Sequence, residues 1–201
     1  MNHIKKLQAL GACDESIEFA AQFSHAQEAW ENNTRPDWAL WLLARLGGEH
    51  KRMAVRLAAD FAERVVHLAG EGRPAAEAAI AAARAWADDP CEETQSAALR
   101  AAYDARAAAY DARAAAYDAR AAAYAADAAD AAAYAAAYAA AYAAAYAAAY
   151  ATYTPDAVAC GCAAAYAVDA AAEPGEERAW QISRIREICP NCPIGEVGSR
   201  A

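Results

Sequence analysis

Positive charge is in short supply in this chain: 18 Lys and Arg stand against 27 Asp and Glu, a net charge of −9. That balance argues against a nucleic-acid backbone as partner and suits a basic protein surface. Large apolar side chains are missing from the middle. The hydrophobic fraction is 59%, but most of it is Ala, which buries little area, while Leu, Ile, Val, Phe and Trp crowd into 1–90 and 180–188. The core is therefore expected at the amino-terminal end, closed by the last helix. No membrane span is expected, because Asp and Arg interrupt the Ala tract and Ala with Tyr is too weakly apolar to insert. Met1–Leu10 carries charge and has no apolar centre, so no signal peptide is expected either. The four His (His3, His25, His50, His67) are scattered, and there is no Gly-rich phosphate loop and no H-E-x-x-H. These absences point to a cytoplasmic, all-α protein without cofactor or catalytic residues. Its 201 residues suffice for one domain, or for one with an elongated arm.

Pro and Gly are absent from Cys91 to Thr154, and this gap holds the most unusual stretch of the chain. Three identical copies of AAYDARA fill 101–121, a bridge AAYAADAAD follows, and five copies of AAAY fill 131–150. Ala is the strongest helix former, so the stretch is expected to be helical. Read as a heptad with Tyr103, Tyr110, Tyr117 and Tyr124 at d, it puts Ala107, Ala114 and Ala121 at a. Asp104, Asp111 and Asp118 then fall at e, and Arg106, Arg113 and Arg120 at g. Each Tyr lies between an acid and a base, the composition of an interaction surface. Paired with a second copy, such a seam must run parallel, since only then does Arg at g meet Asp at e. The alternative is that the Tyr seam packs on the chain's own amino-terminal helices. The AAAY half cannot continue the seam: a step of four residues turns about 40°, so Tyr134 to Tyr150 spiral through about 160°.

Along the rest of the chain, helix signals recur. Asp14 is placed to cap a helix bearing Phe19, Phe23, Ala26 and Trp30, which Asn32–Asn33–Thr34 ends. Pro36 opens a second helix, with Trp38, Trp41, Leu42 and Leu46 expected on its buried face and Gly47–Gly48 as its stop. A third runs over about 49–69, burying Met53, Leu57, Phe61, Val65 and Leu68. Pro74 starts a fourth with Ile80, Ala83 and Trp86, broken at Asp88–Asp89–Pro90. The Ala tract, if unbroken to Tyr153, would be about 90 Å long, against a radius of gyration of about 16–17 Å for a compact domain of this size. A bend near Asp127–Asp130 is therefore expected. Thr154–Pro155 starts another helix, and Pro174 starts the last one, with Trp180, Ile185 and Ile188 available for burial. The expected fold is all-α, a bundle of about six to eight helices with a long Ala/Tyr-repeat segment. Its parts are 1–90 as core, 91–153 as repeat, and 154–201 as closing helices and tail.

Candidate chemistry is sparse. Cys160-Gly-Cys162 with Cys189-Pro-Asn-Cys192 is the one pattern resembling a zinc site. Its first pair is spaced by one residue within an expected helix, where such neighbours diverge, so all four are read as reduced thiols. Asp104, Asp111 and Asp118 recur about 10 Å apart, too far to share a proton or a metal. Trp38 and Trp41 with Arg35 have the composition of interface anchors, although a Trp pair at helical spacing is more often core.

The order of LQALGACDESIEFAAQF (7–23), DWALWLL (37–43), EGRPAAEAAIAAARAWADDP (71–90), an Ala-rich repeat and ERAWQISRIREI (177–188) resembles a family of immunity proteins of bacterial polymorphic-toxin systems, also met in phage-like gene neighbourhoods. The resemblance implies a small, intracellular, all-α, non-catalytic protein that neutralises a cognate toxin by binding it. It also implies a Pro-rich tail after the last helix, which speaks against zinc at Cys189 and Cys192. The Tyr/Asp/Arg expansion at 101–150 departs from the family pattern. The functional expectation is therefore a toxin-occluding binding protein, with Tyr103, Asp104, Arg106, Tyr110, Asp111, Arg113, Tyr117, Asp118 and Arg120 as interaction surface. The rival reading is a self-assembly module built on the repeat helix. An ice-binding helix, suggested by Ala richness alone, lacks the flat Thr or Ala ridge that such a face needs.

Overall fold

A computed structural model describes residues 3–122, 142–143, 167, 171 and 173–195, apart from the side chains of 112–122. Among these residues the chain forms eight α-helices and no strand, the all-α bundle expected. They are α1 (His3–Leu10), α2 (Asp14–Ala20), α3 (Ala26–Asn32), α4 (Pro36–Leu46), α5 (Gly48–Val65), α6 (Arg73–Asp88), α7 (Glu92–Ala122) and α8 (Pro174–Ile188). The expected helix from Thr154–Pro155 and the bend at Asp127–Asp130 lie outside the described residues, as do Cys160 and Cys162.

α5 is the central helix, packed between α4 and α6, with α8 lying across α4 and α5. Val55, Leu57 and Phe61 of α5 are fully buried, together with Leu40 and Leu43 of α4. Each such side chain contributes about 1.5–3 kcal/mol by leaving water. Ion pairs tie the layers at the edge of this core. Asp60 on α5 accepts from Arg84 on α6 at 2.8 Å and from Arg184 on α8 at 3.1 Å. Arg84 also holds Glu63, and its hydrogen bonds keep the Glu63 carboxyl below the usual carboxylate range. Arg64 donates to the buried Glu177 of α8 at 2.8 Å while its guanidinium lies 4.1 Å over the Trp180 ring.

Five local expectations change. The single helix from Asp14 to Trp30 is two helices, because 21–25 offers a better cap than continuation. The His25 ring accepts the Glu28 amide, and Glu28 reaches back to the Ser24 amide and hydroxyl at 3.1 and 2.9 Å. This reciprocal cap satisfies backbone donors that an unbroken helix would have paired differently. Asp14 is not the cap of α2 but its first helical residue, following Cys13. On α4 the deepest positions are Leu40 and Leu43, whereas Trp38, Trp41 and Leu46 are half-buried. α5 stops at Val65 and gives way to two short 3-10 turns, Val66–Leu68 and Gly70–Gly72; Met53 and Leu68 are half-buried rather than core. On α8, Ile185 is buried as expected, while Trp180 and Ile188 are half-buried.

The cap at Ser24 makes a pH prediction. Hydrogen bonds from the Ser24 hydroxyl, then from its amide, hold the Glu28 carboxyl below its ordinary value. A carboxylate with a depressed folded pKa stabilises above its unfolded value, about 4.3, and the contribution fades as pH falls through the lower folded value. Ser24→Ala and Glu28→Gln should therefore each lower the urea midpoint at neutral pH and converge on the parent chain in acid. A deficit unchanged between neutral pH and the acid limb would show that ionisation of Glu28 has no part in it.

The repeat helix inverts the expected seam. Among the described side chains of α7 the buried ones are Ala98, Ala102, Ala105 and Ala109, spaced by four, three and four. The helix packs along α6, whose buried residues are Ala76, Ala79, Ile80, Ala83, Trp86 and Ala87. A face of methyl groups on α7 lets the backbones approach closely. A Cβ on Gly72, just ahead of α6, would sit 3.6 Å from the Ala108 Cβ. The phenol rings are too large for so narrow a seam and keep their hydroxyls in water. Tyr103 is accordingly 60% exposed and Tyr110 44%, and Ala107, expected at a, is exposed as well. Among the described side chains of the heptad, Tyr103 and Tyr110 are not the ones that pack on the amino-terminal helices.

Candidate functional site

The outward face of α7 is built by the same repeat that builds its inward one. Ala102, Ala105 and Ala109 on the seam are the second and fifth residues of the first AAYDARA copy and the second of the next, so Tyr103, Asp104 and Arg106 point away from α6. Tyr103, Asp104, Arg106, Tyr110 and Asp111 are all exposed and line one flank of the helix. Arg113, Tyr117, Asp118 and Arg120 continue on α7, with side chains outside the described set. α7 begins where Thr94 lets its hydroxyl accept the Cys91 amide and donate to the Asp89 carbonyl at 2.7 Å, with Glu92 and Glu93 in the first turn. Acids there complement the positive end of the helix.

The exposed face is ordered by contacts between its own residues. The Arg106 guanidinium lies 5.6 Å from the Tyr110 ring and donates to its hydroxyl at 3.3 Å. Tyr142, itself buried, meets Tyr110 edge-on with ring centroids 5.8 Å apart. In one uninterrupted helix these two residues would stand about 48 Å apart at 1.5 Å per residue. Tyr142 therefore does not lie on a straight continuation of α7; it meets the tyrosine flank at Tyr110.

A second feature escaped sequence reasoning. Between α1, α2, α3, α4 and the segment after α8 lies a half-open cavity of about 520 Å³. Its walls are mainly apolar, including Phe19, Trp30, Trp38, Trp41, Leu42 and Ile194. The Phe19 ring packs on Phe23 and Trp38 at 5.1 and 5.7 Å. Arg35 lies 4.5 Å over the Trp38 ring and binds Asp37 through both carboxylate oxygens, so Arg35 and Trp38 face each other rather than standing as open anchors. The tail forms the far wall. Trp30 Nε1 donates to the Cys189 carbonyl at 3.0 Å, and the Cys192 amide donates to Gln27 at 2.7 Å. Cys189 and Cys192 are both buried here. The signal in the sequence was the Trp-rich start of α4. What could not be read was the tail returning 159 residues later to Trp30.

Among the described residues, no group of three or more His, Cys, Asp or Glu could hold a metal, and no helix is long and apolar enough to cross a membrane. Fold and site define a class, an all-α bundle that presents a tyrosine-studded repeat helix. No family model, curated protein or solved structure matches the chain.

Proposed function

We propose that the protein is a non-catalytic binding protein of the immunity type, acting in the cytoplasm by covering a basic toxin surface with the outward face of α7. The observation that carries this reading is the division of the repeat helix. Its Ala stripe packs on α6, which leaves Tyr103 and Tyr110 exposed between Asp104, Arg106 and Asp111. Exposed Tyr with Arg is the composition of interface anchors, and the net charge of −9 draws a cationic partner at long range. The immunity assignment itself rests on the sequence resemblance.

Co-expression with a toxin encoded beside the gene should restore growth of the host. Asp104→Lys with Asp111→Lys and Tyr103→Ala should weaken toxin binding by about tenfold or more, while stability stays within about 0.5 kcal/mol because all three positions are exposed. Growth that the parent chain does not rescue rejects the toxin reading. Rescue untouched by the triple variant moves the interface off α7.

The self-assembly reading has one observation in its favour. Tyr142 lies edge-on against Tyr110, and a second copy offers the same ring to that flank. Sedimentation of the full chain over a wide concentration range separates the two: a monomer throughout ends this alternative.

A further inference from the structure

The apolar cavity does not stand alone. Beside it lies a second hollow of about 580 Å³ with a mixed lining, polar at His3, Lys6, Ser24 and His25 and apolar at Phe23 and Ile194. The two share His3, Ala26 and Ile194 as common wall. Each falls within the roughly 300–1,000 Å³ of small-molecule sites, which are mostly apolar with a few polar groups that fix orientation. We propose that together they bind an amphiphile with one apolar tail and a single anionic head, the tail among Phe19, Trp30, Trp38 and Trp41 and the head at Lys6 and His25.

The charges select the head. At the apolar end the one carboxylate, Asp37, is already held by both nitrogens of Arg35 at 3.0 and 2.8 Å, so nothing there calls for a cation. At the other end Lys6 donates one proton to the Ile194 carbonyl at 2.7 Å, and an ammonium has two more to give. The His25 Nδ1 accepts from the Glu28 amide, which leaves the ring proton on Nε2 as a donor. Glu28 stands at this corner too, but its Oε2 is turned onto Ser24, accepting from both amide and hydroxyl. An otherwise acidic chain thus gathers His3, Lys6 and His25 around one hollow. The wall between tail and head is also fixed in advance: Trp30, Gln27 and Lys6 pin the segment from Cys189 to Ile194 at separate points. A preformed wall lowers the ordering cost of binding.

The test uses the intact chain and four probes sharing one tail: dodecanoate, dodecyl phosphate, dodecanol and dodecyltrimethylammonium. Binding is followed by calorimetry and by the fluorescence of the cavity tryptophans, below the aggregation concentration of each probe. At least one anion should bind saturably and about tenfold tighter than the alcohol, as one charged hydrogen bond warrants, with the cation weakest. The tighter anion tells a carboxylate ligand from a phosphate one. Lys6→Gln should bring the anions down to the level of the alcohol, and Lys6→Arg should restore the preference. Ala29→Phe, which fills the apolar end, should weaken all four. Equal binding of alcohol or cation, or no saturable binding of any probe to the unmodified chain, overturns the proposal without recourse to a variant.

Discussion

Two alanines two residues apart on α7 should answer the same substitution in opposite ways. Ala105→Leu is expected to cost about 1–3 kcal/mol, as overpacking of a close seam does, whereas Ala107→Leu should stay within about 0.5 kcal/mol of the parent. Ala105 is fully buried against α6, and Ala107 faces water. The described buried face of α7 is all Ala, and Ala79 and Ala83 of α6 are as buried as Ala105. The three added heavy atoms of Leu must therefore displace what already packs on Ala105. Urea unfolding of both variants decides the matter. A costly Ala107→Leu beside a silent Ala105→Leu would mean that the Tyr-centred register is the true one.

Phe61→Ala should cost about 3–5 kcal/mol, a large part of the stability of a domain this size. Phe61 has no exposed surface and meets Trp180 edge-on at 5.7 Å, so its removal empties the junction of α5 with α8. The pair holds the carboxy-terminal helix to the core from more than a hundred residues away, and Arg64 covers the other partner. Truncating Phe61 should therefore also weaken the Trp180 side. In a double-mutant cycle, Phe61→Ala and Trp180→Ala should be less than additive, with a coupling of about 0.5–1.5 kcal/mol beyond area burial. Additive losses, or a Phe61→Ala cost under about 1 kcal/mol, would place the centre of the core elsewhere.

Much of this architecture was written in short-range patterns. Pro36, Pro74 and Pro174 each open a helix at its first or second position, and Asp88–Asp89 ends α6, as proline geometry and helix stops require. Leu57, Phe61, Val65 and Ile80 are core because their spacing left no other face. The misses share a cause: a competing interaction that spacing does not encode. His25 and Glu28 capped a new helix where the Phe19–Phe23–Trp30 period called for one continuous element. On α7 the largest side chains were assigned to the seam, yet the closeness that alanine permits won over the area that tyrosine offers. The exposed flank of α7 was legible as a cluster because the repeat fixes its members together, and its outward direction followed only from where α6 lies. The apolar cavity needs α1, α2, α3, α4 and the tail at once, and no window of sequence contains all five.

The α6–α7 seam has a further consequence in inheritance. At Ala102, Ala105 and Ala109 it is made by the second and fifth letters of a seven-letter word, so one copy more or fewer keeps the same spacing of methyl groups. Each copy adds about 10.5 Å of helix and one more Tyr, Asp and Arg. Replication slippage at this locus would thus produce longer and shorter forms that still fold, so natural variation can tune reach and valency without reinventing the scaffold.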